Sequence, residues 1–114
     1  MTGRAFAAFG ALACGASVAL AAIAAHAHGG HDGTRLGLAA AMAFAHGLAL
    51  VAIAARPSRL ATVARAGFAA GIVLFSGSLV GAAWHGWPTT LAPVGGIALM
   101  LGWAILAVDF LRRP

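Results

Sequence analysis

The sequence predicts an all-α, up-down bundle of four transmembrane helices with both termini cytoplasmic, and three observations carry that prediction. Four apolar stretches of about twenty residues, near 5–25, 36–55, 66–84 and 91–111, fill almost all of the 114-residue chain. At about 1.5 Å rise per residue each gives a helix roughly 30 Å long, the thickness of a bilayer's hydrocarbon core. Hydrophobic residues make up 62% of the chain and charged residues 8%, so a soluble fold would lack the polar side chains to cover its surface. The third observation is charge placement: all seven basic residues are arginines, and they stand at the ends of the stretches. No basic face with interleaved aromatics forms on a soluble domain, which sets nucleic acid aside as a partner. A single integral membrane domain, 1–114, is expected.

The first stretch is glycine- and alanine-rich, with Gly10, Cys14, Ser17, Ala21 and Ala24 on one line of a helix. Such small residues let helix backbones approach where no water is expelled to drive association. Cys14 lies mid-span as a small packing residue. Met1–Arg4 followed by this run also resembles a signal peptide, with Ala25-His26-Ala27 as a cleavage-like site. The length of the run and the charge balance across four spans favour a retained helix.

A loop follows, His26-Ala-His28-Gly-Gly-His31-Asp32. Three imidazoles and a carboxylate separated by glycines form a candidate zinc or copper site, with His85 expected on the same side. A flexible solvated loop is the competing reading, because short histidine-rich tracts are compositional signals. A haem between His26 and His85 would need facing helices at matched depth and a cavity.

The second stretch carries His46 near its middle, where a neutral imidazole needs a partner, such as a serine of the third span. Pro57 then opens an arginine-bearing loop, 56–65. In the third stretch Gly67 and Gly71, then Gly77 and Gly81, are small-xxx-small pairs, and Ser76 and Ser78 are placed to bond back into their own helix. The turn Gly86–Thr90 holds Trp87 and Pro88, with Pro93 at the start of the fourth stretch, where a missing amide donor costs least. Gly95, Gly96 and Gly102 are the packing glycines of that stretch, and Asp109 lies on the same face as Gly95 and Gly102. Asp109 is expected to pair with an arginine of the cytoplasmic side, such as Arg4, Arg65 or Arg112.

With four spans, Arg4, Arg56, Arg59, Arg65, Arg112 and Arg113 share one side and Arg35 stands alone on the other. The positive-inside rule then makes the termini cytoplasmic in a bacterial inner membrane, with Trp84 and Trp87 at the outer boundary.

Three segments carry a family resemblance: Gly71-Ile-Val-Leu-Phe-Ser-Gly-Ser-Leu79, Ala92-Pro-Val-Gly-Gly96 and Gly102-Trp103. They resemble the YgdD-like family of small inner-membrane proteins, domain of unknown function four-two-three. Ala24-Ala25-His26 and Phe44-Ala-His46-Gly-Leu-Ala-Leu50 extend the similarity to the front half. The resemblance implies a four-helix inner-membrane protein and no established reaction. Val80 stands where the family motif continues with Tyr, and Met42-Ala43 where a Tyr-Gln pair precedes the second-span histidine.

The chain has no glutamate, no lysine, no Ser-His-Asp set and no phosphate-cradling loop, so an enzyme is the class with least support. The leading expectation is a non-enzymatic accessory or structural subunit of a larger membrane complex, embedded in lipid and packed against membrane-protein partners or its own copies. A metal-handling protein using His26, His28, His31, Asp32 and His85 is the alternative, followed by a small permease using His46 and Asp109. No resident cofactor is expected beyond a zinc or copper ion at the outer loop.

Overall fold

The structure, a computed structural model, describes residues 2–26 and 30–112. Its helices are α1 (Gly3–His26), α2 (Gly30–Ala52), α3 (Arg59–His85) and α4 (Ala92–Arg112), each long and apolar enough to cross a membrane. Among the described residues there is no strand.

Neighbouring helices run antiparallel and touch through glycine. On α1, Gly3 meets Ala54 just beyond the end of α2, and Gly10 meets Gly47 of α2; a methyl on Gly47 would lie 2.7 Å from the Gly10 carbonyl oxygen and 3.1 Å from Cys14 Sγ. On α3 and α4, Gly67 faces Ala98 and Gly102, and Gly71 faces Gly95 and Leu99. These approaches maximise backbone van der Waals contact, the attraction available to helices in lipid. The two tight pairs join through α2 and α3, which have the largest shares of buried residues; α1 is the most peripheral. Phe6, Leu50, Phe68, Ile72, Leu99 and Leu106 form the core. Leu12, Val18, Met100, Leu101 and Leu111 are exposed, an apolar belt suited to lipid.

Two helices begin earlier than hydropathy suggested, because hydropathy marks the edge of the apolar layer and helical bonding continues past it. The second starts at Gly30 and takes in His31, Asp32 and Arg35, so most of the expected histidine-rich loop is helix. Asp32 complements the positive end of the helix dipole there, and Thr34 Oγ1 donates to the Gly30 carbonyl at 3.0 Å. The third starts at Arg59, capped by Ser58, whose Oγ accepts from the Ala61 amide at 3.0 Å. The arginine loop is correspondingly short, and Arg65 belongs to the helix.

α3 is not uniform. Between Ile72 and Ser76 it widens into a π-helical turn, with the Gly77 amide reaching back to the Ile72 carbonyl five residues earlier. It ends at Gly86, whose φ of 67° is the left-handed geometry a side chain resists; the Gly86 amide bonds the Ala82 carbonyl at 3.2 Å. The chain then turns back so that the Trp87 ring covers Gly81.

Candidate functional site

Polar groups within an apolar bundle are the natural candidates for chemistry, and the fold assigns most of them internal partners. His46, on the buried face of α2, lies beside α4 rather than beside a serine of α3. Its Nδ1 is 2.7 Å from the Met42 carbonyl one turn earlier, and Trp103 Nε1 donates to its Nε2 at 2.9 Å. A carbonyl only accepts and an indole N–H only donates, so this arrangement assigns the proton to Nδ1 of a neutral ring. Phe68 completes the cluster, its ring centroid 5.5 Å from His46 and 4.8 Å from Trp103. The expected serine partner is thereby corrected to Trp103 and a backbone carbonyl.

Ser76, in the π turn, donates across to the Ala39 carbonyl of α2 at 2.8 Å instead of back into its own helix. The widened turn offsets the side chain from the row it would follow in a regular helix, and the bond ties α3 to α2. Ser78 is also buried. Gly77, expected among the packing glycines, faces open space: a methyl there would meet no atom within 4 Å. Gly96 touches only the edge of the Phe75 ring, at 3.8 Å.

Gly77 borders a lateral cleft of about 650 Å³ between α1 and α3. Leu12 and Leu20 form one wall, Val73 and Val80 the other, and Trp84 and Trp87 close one end. Ser17, Ser76 and His85 are the polar side chains at its border; Ser17 donates to the Cys14 carbonyl at 2.7 Å, a local bond within α1.

At the end of the bundle that holds the chain's start and finish, Asp109 is almost fully buried, with 1% of its surface exposed. Its partners include Arg56, whose Nε lies 2.7 Å from Oδ2, and Ser58, whose hydroxyl donates to Oδ1 at 2.5 Å. Arg56 is an arginine of the expected side, though not one of the examples Arg4, Arg65 and Arg112, and Ser58 was not expected. Ser58 thus accepts from the first turn of α3 and donates to Asp109, tying α3 to α4. Arg65 is buried too, and its Nη1 donates to the carbonyls of Ile53 at 2.8 Å and Arg56 at 3.1 Å. A cation there meets the negative pole of α2, a role that counting it as a loop charge concealed. Its Nε has no hydrogen-bond partner among the described residues.

At the opposite end, His26 closes α1, His31 and Asp32 sit in the first turn of α2, and His85 stacks on Trp87 with centroids 5.5 Å apart. Asp32 is 3.6 Å from Arg35. Among the described residues no three His, Cys, Asp or Glu side chains gather as a metal site would require; His28 lies outside them.

Trp103, Arg56 and Ser58 are the partners that sequence reasoning did not find. Only Ser58 had a readable signal, a hydroxyl residue just after Pro57 and before an apolar-periodic run.

A family model described as protein of unknown function (DUF423) matches residues 20–96, more than half of the chain. The match takes in His46, the π turn and Gly77, and stops before Trp103 and Asp109. Comparison with curated proteins and with solved structures gives no match.

Proposed function

We propose that this chain, which belongs to the DUF423 family of proteins of unknown function, is a non-enzymatic accessory subunit of a larger complex in a bacterial inner membrane. The observation that carries the reading is the cleft beside Gly77, an apolar slot left open in a bundle whose buried polar groups hold the bundle together. A permease would need His46 or Asp109 available to a substrate, but both ring nitrogens of His46 are bonded within the bundle and Asp109 is held by Arg56 and Ser58. The occupant that suits the cleft is an apolar transmembrane helix of a partner subunit, laying a ridge of aliphatic side chains along Gly77.

The test is Gly77→Leu. A Cβ at position 77 meets no atom within 4 Å and the cleft beside it has room for the rest of a leucine, so the protein should accumulate normally, and a partner that co-purifies with the wild type in fixed ratio should be lost. Gly15→Leu, at an equally open position of α1 outside the cleft, should retain it. A protein that runs alone from its native membranes, or a partner that survives Gly77→Leu, overturns the reading.

Orientation belongs to the same proposal. Arg4, Arg56, Arg59, Arg65 and Arg112 lie at the end that holds the termini and Arg35 at the other, which by the positive-inside rule puts the termini in the cytoplasm. A reporter fused after Pro114 should be active in its cytoplasmic form; external activity would reverse the topology.

A further inference from the structure

A second cleft, of about 400 Å³, opens at the end that bears the arginines. Pro57, Ser58, Arg59, Leu60, Asp109 and Arg112 line it. In contrast to the lateral cleft about half of its surface is polar, and its charge is unbalanced. Asp109 forms part of the lining but is already held by Arg56 and Ser58. Arg59 and Arg112, both exposed, add two further positive charges at the mouth. Among the described residues, Arg59 and Arg112 in the lining and Arg56 behind Asp109 thus set three guanidinium groups against one carboxylate.

Position narrows the ligand. The cleft lies where α3 enters and α4 leaves the apolar layer, with Leu60 in its wall and Leu111, 85% exposed, next to Arg112. A group bound there has cationic side chains on its water side and apolar surface on its lipid side. Guanidinium groups recognise phosphate oxygens by charge-assisted, often bidentate hydrogen bonds. The N-terminus of α3, where Ser58 already caps the Ala61 amide, lies beside the cleft and adds a partial positive charge.

From this juxtaposition we infer that the cleft is a binding site for a phosphate monoanion, with Arg59 and Arg112 as its ligating side chains. An anionic phospholipid headgroup and free phosphate share that chemistry, and the lipid is the source whose apolar part also meets Leu60 in the cleft wall. The inference is independent of the accessory-subunit reading, since it concerns the other end of the molecule and needs no protein partner.

The experiment is native mass spectrometry of the full chain in mild detergent, titrated separately with phosphatidylglycerol, phosphatidylcholine and inorganic phosphate. Phosphatidylcholine carries the same phosphate beside a compensating choline cation; at roughly a five-fold preference for net negative charge per arginine, one phosphatidylglycerol should bind about twenty-five-fold more tightly than phosphatidylcholine. Arg59→Gln combined with Arg112→Gln should abolish that preference. Both side chains are exposed, so the thermal midpoint of the double variant in neutral detergent should match the wild type. Arg4→Gln removes an exposed charge at the same end but outside the cleft, and should leave the preference intact. Saturable binding of inorganic phosphate that the double variant loses, without discrimination between the two lipids, would keep the site and make its source free phosphate. Equal binding of all three probes, or an equal loss of preference in Arg4→Gln, would overturn it.

Discussion

Gly95→Ala should destabilise the bundle by about 2 kcal/mol or more, although alanine is the better helix former by about 1 kcal/mol. A methyl on Gly95 would run into the backbone amide of Phe75, with the Leu74 carbonyl carbon and Phe75 Cα both 2.9 Å away. All of these are backbone atoms of the π turn in α3, so no side-chain rotation relieves the overlap. α4 has to move away from α3, and Leu99, packed beside Gly71, loses contact with it. The adjacent substitution Gly96→Ala supplies the control: its methyl meets only a ring edge at 3.8 Å, and the gain in helix propensity should leave the protein equal to or slightly more stable than wild type. In the same detergent the thermal midpoint should therefore fall for Gly95→Ala and hold or rise slightly for Gly96→Ala. If Gly95→Ala proves as stable as Gly96→Ala, the close approach of α4 to the π turn is wrong.

The contrast between these neighbours marks where sequence reading reaches and where it stops. Gly95 and Gly96 look alike in the sequence, and both were assigned to packing; their roles separate once the rotation of α4 about its axis is known. The four helices themselves were legible because some twenty consecutive apolar residues leave few alternatives to a spanning helix. Helix starts were less so: Gly30 and Arg59 precede the apolar stretches by six or seven positions, since polar residues continue a helix beyond the lipid layer at no cost in water. The π turn has no signal in the residues 72–76 that a regular helix would not share. Partners of the polar groups were the least legible. Trp103 is 57 residues from His46 and Arg56 is 53 from Asp109, and each choice among several donors depends on how four helices are rotated against one another.

A double-mutant cycle on Arg56 and Asp109 should give single variants that are each worse than the double. Asp109→Leu leaves Arg56, most of its side chain buried, without the carboxylate its Nε bonds at 2.7 Å, and strands the Ser58 hydroxyl as well. Arg56→Leu leaves the nearly inaccessible Asp109 carboxylate without that guanidinium. Breaking one side of a buried ion pair costs about 3–5 kcal/mol, because the remaining charge keeps its desolvation penalty and loses its compensation. Removing both charges removes both penalties, and two leucines suit a site where Phe110 already lies 4.1 Å under the Arg56 guanidinium. The double variant should recover most of the lost stability, with a coupling of about 2 kcal/mol or more in detergent unfolding. Additive losses would mean that the two residues act separately. Strong coupling combined with full recovery would show that the pair holds α4 to the cap of α3 and that a hydrophobic contact can replace it. Orientation is then the reason for charge at this position, since Arg56 also counts among the arginines on which the proposed cytoplasmic placement of this end depends.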